Sequence, residues 1–382
     1  MTPPRFVQIH TLAAYPAVLL NRDDAGLAKR LPFGGASRIR VSSQCLKRHW
    51  RVVEDDWALK AIGQPMAIRS REVVEREIMP RLGELPSAIA EAVRVSLAKK
   101  LYGDKSVEIS SRQALLLGQP EIEHIVALAR TAVAGADSPK AAEAGIEARF
   151  GKGEGKKNLA AMKAVAGDLA AGLESALFGR MVTSDPEANT EAAIHVAHAF
   201  TVHAEESESD YFTVIDDLTR EAGETGSAGL FETELTSGLF YGYVVVDVPG
   251  LVANLGNDAA LGGRVVEHLL HLIATVSPGA KKGSTAPYAW AEALLVELGT
   301  RQPRSLANAF RRPVPLSGEG DLLGRALDAL SAHMARLDAC YGLKEERGLL
   351  SAAEASLPGT GVPRSLDDLA AWVRGAIAAG AA

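Results

Sequence analysis

Residues 238–248 read GLFYGYVVVDV, and residues 192–203 read AAIHVAHAFTVH. Both runs are dense in β-branched and aromatic side chains, the make-up of strands packed into a sheet. The 34 residues between them, 204–237, open acidic, continue as Tyr211-Phe212-Thr213 and then turn glycine-rich. A connection of that length carries structure or function of its own, and a hairpin-like excursion from the sheet is expected there. Working outward, residues 5–12, RFVQIHTL, alternate as a first strand. Phe33-Gly34-Gly35 marks a tight turn or a close backbone approach. Arg38-Ile39-Arg40-Val41 alternates again, basic on one face and apolar on the other. Ser42-Ser43 reads as the N-cap of a helix from Gln44 to about Trp57, with Lys47 and Arg51 sharing one face.

From about 58 to 178 the pattern is helical. Ile89, Val93, Leu97 and Leu101 recur every four residues, and Asn158 would cap a second helix holding Leu159, Met162, Val165, Leu169 and Leu173. Breaks fall at 134–140 and 151–157. Val265, Val266, Leu269, Leu270 and Ile273 mark a later amphipathic helix, 278–287 a loop with Lys281-Lys282, and 366–377 a final helix. Strand, helix, two strands and helix together imply an α+β, ferredoxin-like (modified RRM) core. A large helical insertion interrupts it early and a long hairpin late. The expected divisions are 1–57, 58–178 and 179–382, with the hairpin at about 204–237. Such a sheet can serve as a nucleic-acid platform. Phe240-Tyr241-Gly242-Tyr243-Val244 lacks the basic residue that leads a platform strand, so core packing is the expected role of its rings.

Composition limits the function. The chain has 382 residues, 47% hydrophobic and 23% charged, as in a folded water-soluble protein. Two cysteines make neither a disulfide framework nor a four-cysteine zinc site. Residues 6–21 carry no charge but are too few to span a bilayer and include Gln8, His10 and Pro16, so a cytoplasmic protein with no membrane partner is expected. The net charge is −6, yet residues 22–51 hold eight basic residues and two acids, leaving −12 for the rest. Screening confines a field to about 10 Å, so a basic patch on an acidic body can still bind a polyanion. A solvated charged face is the competing reading.

Catalytic signatures are missing: there is no HExxH, GxSxG or Walker A sequence. The lysine- and glycine-rich run 151–157 lacks the spacing and the Ser/Thr of a nucleotide loop. On a strand His195 and His203 face one side and His198 the other, against a shared metal. Cys45 reads as a small buried residue. Asp23-Asp24 and Asp216-Asp217 read as turn or cap material. No cofactor is called for and no catalytic residue stands out.

Several short words nevertheless occur in one order. They are Leu20-Asn21-Arg22-Asp23-Asp24, Phe33-Gly34-Gly35, Arg38-Ile39-Arg40-Val41-Ser42-Ser43-Gln44, Leu46-Lys47-Arg48, Gly179-Arg180-Met181, Phe212-Thr213 with Asp216-Asp217-Leu218, Ser237-Gly238 with Phe240-Tyr241, and Pro278-Gly279-Ala280-Lys281. Their order resembles that of the backbone subunit of type I-E CRISPR Cascade complexes, across nearly the whole chain. The helical lobe matches in character only. The resemblance implies a hand: a ferredoxin-like palm, helical fingers and a thumb hairpin. Copies of such a subunit polymerise head to tail along one CRISPR guide RNA, beside other Cascade subunits. The thumb displaces a base at intervals and the rest of the guide pairs with target DNA. The family cuts nothing itself and serves antiviral defence.

The residues fit that picture chemically. A guide must be held by its phosphates so that its base edges stay open. Arg22, Lys29, Arg38, Arg40, Lys47, Arg48 and Arg51 are the expected cations, with Ser43 and Gln44 at the helix start. Lys281 and Lys282 are added in part by the resemblance, which also assigns Met181 and Phe212 to kink and thumb, with Tyr211 and Thr213 beside Phe212. Five phosphate contacts per copy would give a slope of log affinity on log salt of about −3.5. Two other readings stay open: a metal-dependent nuclease using the histidine strand and paired aspartates, and a single-copy RNA-binding module.

Overall fold

A computed structural model describes residues 3–103, 106, 108–150, 169–182, 185–215 and 227–379. The 151–157 run, the Asn158 cap and the Asp216-Asp217 pair lie outside the described residues. The strands are β1 (Phe6–Val18), β2 (Arg30–Phe33), β3 (Ala36–Val41), β4 (Ala67–Ser70), β5 (Leu115–Gly118), β6 (Ile194–Val196), β7 (Ala199–Thr201), β8 (Ser207–Ile215), β9 (Ser227–Asp247), β10 (Ala293–Gly299) and β11 (Glu346–Ser351). The helices are α1 (Ser43–Val52), α2 (Ser87–Tyr102), α3 (Gln119–Val133), α4 (Pro139–Phe150), α5 (Leu173–Phe178), α6 (Val248–Asn254), α7 (Ala259–Thr275), α8 (Lys282–Thr285), α9 (Leu322–Tyr341) and α10 (Leu366–Ala378). No described helix is long and apolar enough to cross a membrane. The chain divides into two units, residues 1–58, 196–246 and 265–377, and residues 59–195, 247–264 and 378–382.

The first unit is built on one sheet in the order β11-β10-β1-β9-β7-β3-β2. Its middle, β10-β1-β9-β7, is the 4-1-3-2 order of a βαββαβ chain in which α1 follows β1 and α7 follows β9. That is the ferredoxin-like α+β arrangement. The period-2 pattern that marked β9 sorts its side chains between two cores. Leu239 and Tyr241 join Leu12, Leu295, Leu349 and, from α9, Leu327, Leu330 and Met334. Phe240 joins Tyr15, Val41 and Ala199 on the opposite face, against Cys45 and Leu46 of α1. The face that could have been an open platform is thus closed by α9, and Tyr241 is only 1% exposed.

β9 is 21 residues long and continues outward as one limb of a hairpin with β8. The hairpin therefore extends a central strand rather than hanging from a loop. Ser42 caps α1, its hydroxyl accepting from the Cys45 amide at 3.3 Å. The helix stops at Val52, short of Trp57, because Val53 turns extended. The run 192–203 is two short strands, not one, broken at Ala197 and His198.

In the second unit α2, α3 and α4 bury Val93, Leu97, Ile122, Ile125, Ile146 and Phe150 together. Ile89, Val93, Leu97 and Leu101 form the buried stripe of α2. The helical reading overlooked the antiparallel pair β4–β5. The Gly179-Arg180-Met181 turn is held from behind. Arg180 Nη1 donates to both Glu121 oxygens at 2.7 and 2.6 Å, and Nη2 donates to the Ala188 carbonyl at 2.8 Å.

Candidate nucleic-acid interface

The loop after β1 carries the first cation. Asn21 anchors it to α1, its Oδ1 accepting from the Ser42 amide at 2.9 Å. The Lys29 amide donates to the Asn21 carbonyl at 3.0 Å. Asp23 closes the turn by accepting from the Leu27 amide at 2.9 Å. Asp23 is thus turn material. Arg22 stands between two open concavities. One, of about 470 Å³, is shared with the hairpin base at Ser207–Ser209 and Glu232–Glu234 and with Lys281. The other, of about 510 Å³, is shared with Cys45 and His49 of α1 and with Gly279-Ala280.

The eight basic residues of 22–51 do not act alike. Arg22, Lys29 and Arg48, together with Lys282, make no side-chain hydrogen bond or ion pair among the described residues. Lys47 and Arg51 have interactions of their own and are half-buried on α1. Arg40 donates through Nε to the Arg30 carbonyl at 3.1 Å and through Nη1 to His198 Nδ1 at 3.1 Å. Arg30 is neutralised by Glu205 at 2.9 Å and by Glu234.

Arg38 corrects the expectation. It is wholly buried, with Nη1 donating to the carbonyls of Thr201 at 2.9 Å and His203 at 3.3 Å and Nη2 to that of Phe310 at 2.9 Å. No phosphate can reach it; three carbonyls far away in sequence take up the charge. The turn before it is equally constrained. Gly34 and Gly35 have φ of +63° and +81°, and a Cβ on Gly34 would lie 1.5 Å from the Arg311 carbonyl oxygen. Arg38→Leu should therefore cost about 3 kcal/mol of unfolding free energy, from orphaned carbonyls, and leave the salt dependence of RNA binding unchanged. Urea denaturation and salt titration check the two halves.

The cations share a field, which two imidazoles register. Burial lowers the His49 pKa and Lys282 and Arg48 lower it further, against the Cys45 carbonyl that accepts from Nδ1 at 2.8 Å. Burial, then Arg40 and Lys29, likewise lowers that of His198. Burial pushes the Cys45 thiol up, away from nucleophilic behaviour. His203 is buried with both nitrogens engaged, Nδ1 donating to the Ala204 carbonyl and Nε2 accepting from the Leu239 amide. Among the described residues no group of three or more His, Cys, Asp or Glu is gathered as for a metal ion.

Of the helix-start pair, Gln44 is exposed, whereas Ser43 is buried with its hydroxyl on Gln44 Oε1 at 3.3 Å. On the hairpin Phe212 faces Phe231 in register, and the rings stack at 5.6 Å. The Lys281 ammonium lies 5.9 Å from the Phe212 centroid and donates to Thr233. Tyr211 and Thr213, one step out of phase, take the other face with Leu230, and all three are exposed. Leu230 and Phe231 were missed in the sequence; their signal was a second apolar pair nineteen residues after Tyr211-Phe212. In the second unit Met181 is 74% exposed beside the buried Arg180.

Comparison with known proteins bears on this geometry. The family model described as CT1975-like protein matches residues 7–372. A solved chain titled "CRISPR RNA-guided surveillance complex, pre-nicking" is 26% identical, with 97% of this chain and 100% of that one covered and a TM-score of 0.78. Another, titled "CRISPR RNA-guided surveillance complex", shares the fold at 23% identity and a TM-score of 0.65, with 96% and 99% covered. No curated protein matches the sequence.

Proposed function

The chain belongs to the CT1975-like protein family, and from that premise we propose that it is the backbone subunit of a Cascade-type complex, polymerising head to tail along a CRISPR guide RNA. Full-length likeness to a chain of a CRISPR RNA-guided surveillance complex supports a role in such a complex. The observation that carries the finer reading is the set of unpartnered cations, Arg22, Lys29, Arg48 and Lys282, together with a hairpin that exposes apolar side chains on both faces. Cations hold a strand by its phosphates and leave base edges free for target DNA. An exposed hairpin carrying Tyr211, Phe212, Leu230 and Phe231 is a wedge for a displaced base and a surface for the next copy. Met181 is the second wedge. The chemistry asked of the subunit is binding, with no bond broken.

Light scattering with and without guide RNA tests the assembly. A filament adds mass many times over, a single-copy module adds it once, and an unchanged monomer removes the proposal. Phe212→Ala tests the wedge. With the ring already 40% exposed, folding should be nearly unaffected. A 2-aminopurine at the displaced position should change fluorescence as a contact of about 1–3 kcal/mol is lost. An unchanged signal would return Phe212 to a packing role on Phe231.

A further inference from the structure

Residues 276–291, VSPGAKKGSTAPYAWA, contain two lysines, two large aromatic residues and no acid. Tyr288 and Trp290 are each 73% exposed, while Pro287 between them and the helix is buried and Ala289 is half-buried. The order over 288–290 is exposed, half-buried, exposed, just ahead of β10. Neither ring meets another aromatic ring or a hydrogen-bond partner among the described residues. Apolar rings so exposed on a charged protein are unsatisfied surface.

The backbone beneath them is tightly fixed. Ser277 Oγ donates to the Ala289 carbonyl at 2.7 Å and accepts from the Ala289 amide at 2.9 Å. The Tyr288 amide donates to the Ala286 carbonyl at 2.7 Å, and that of Ala291 to Ala274 at 2.7 Å. A Cβ on Gly279 would stand 2.5 Å from Pro287 Cγ. Lys281 and Ala286, neither of them glycine, hold φ of +51° and +40° at the two ends of α8. Strained, over-determined backbone of this sort persists where a surface must be presented in one way.

We propose that Tyr288 and Trp290 form a base-stacking platform for unpaired RNA, distinct from the thumb and fed by the cations of the same loop. The proposal rests on the RNA-binding reading above and adds the residues that read base faces. Stacking needs only an open ring face, which both side chains offer. Lys281 and Lys282 supply charge for the adjoining phosphates.

Tryptophan emission tests it directly. Of the four tryptophans, Trp50 is buried, Trp57 and Trp372 are half-buried, and Trp290 alone is strongly exposed. Full-length protein titrated with a short labelled oligoadenylate reports binding by anisotropy and stacking by quenching. Quenching is expected in the native chain and should be lost in Trp290→Phe. Tyr288→Ala with Trp290→Ala should weaken binding tenfold or more, from about tenfold per stacked ring. The slope on log salt should stay unchanged, since neither ring meets a phosphate. Binding without quenching overturns the platform and leaves the RNA-binding reading standing. No binding at all removes both. Should the double variant keep native RNA affinity but lose assembly, the rings face a neighbouring copy and the platform is likewise refuted.

Discussion

Replacing Glu297 by glutamine should lower the unfolding free energy by about 3–5 kcal/mol, though the side chain keeps its size. Glu297 lies in β10 with none of its side chain exposed, and four donors converge on it. Oε1 accepts from Arg304 Nη2 at 2.9 Å and Arg347 Nε at 2.8 Å. Oε2 accepts from Arg304 Nη1 at 2.8 Å and His10 Nε2 at 3.2 Å. The Glu297 carboxylate can only accept, so His10 Nε2 donates to it and His10 Nδ1 accepts from the Tyr241 hydroxyl at 2.8 Å. The His10 proton thus sits on Nε2, aimed at Glu297. Arg347 goes on to Asp338 of α9 at 2.6 and 2.7 Å, which fastens α9 over the sheet. An amide would keep the shape but turn an N–H group toward the guanidiniums, and Arg304 would lose its ion-pair partner while Arg347 kept only Asp338.

The pH dependence of stability follows from the same cluster. Burial alone would raise the Glu297 pKa, but the hydrogen bond from His10, with His10 and Arg304 adding charge, holds it far below the usual carboxylate range. Burial depresses that of His10, outweighing the help from Glu297. Both groups bind a proton more readily when unfolded, so the unfolded state gains protons as pH falls. Stability should be full above about pH 6.5, decline below it as His10 must charge, and decline again below about pH 4.3. Glu297→Gln should shrink the second decline, leaving the part that comes from other carboxylates held low, such as Glu75 beside Arg112. A loss under 1 kcal/mol in urea denaturation would mean that Arg304 and Arg347 had escaped to solvent.

What the sequence could reveal depended on range. The strand pattern of β9, the Ser42 cap, the α2 stripe and the Phe-Gly-Gly turn are local, set by residues within a few positions. The alternation Arg38-Ile39-Arg40-Val41 is local too, and it put both arginines on one basic face. Arg38 instead points among the carbonyls of Thr201, His203 and Phe310, and Arg30 meets Glu205 and Glu234. Those partners are some 160 residues or more away, invisible to any window. A summed charge of +6 therefore counted two cations that the fold had already spent. Strands of four residues, as in β4 and β5, are too short for period 2 to stand out inside a helical lobe. Tyr241 is the converse case. Its strand looked like a platform strand without the leading cation, and α9 covers it.

The salt dependence of RNA binding separates the cations that remain. Changing Arg22, Lys29, Arg48 and Lys282 together to alanine should flatten the slope of log affinity on log salt by about 2.8 per copy, from about 0.7 per phosphate. At 0.15 M salt that corresponds to a loss on the order of a hundredfold per copy. These four lack protein partners among the described residues, so removing them orphans nothing. The chain should fold as before, unlike Arg38→Leu. The two variants form opposite halves of one argument: Arg38 is charge used for stability, and these four are charge kept for a ligand. His49 and His198 should report the ligand as well. In the free protein burial and neighbouring cations depress both. Phosphates entering the field offset those cations and raise both pKa values, so binding takes up protons and tightens as pH falls from 8 to 6. The fourfold variant starts with less cationic repulsion at His49 and His198, and its pH dependence should be shallower. A salt slope left unchanged by the fourfold replacement would mean that the RNA lies elsewhere, whatever the fold of the chain.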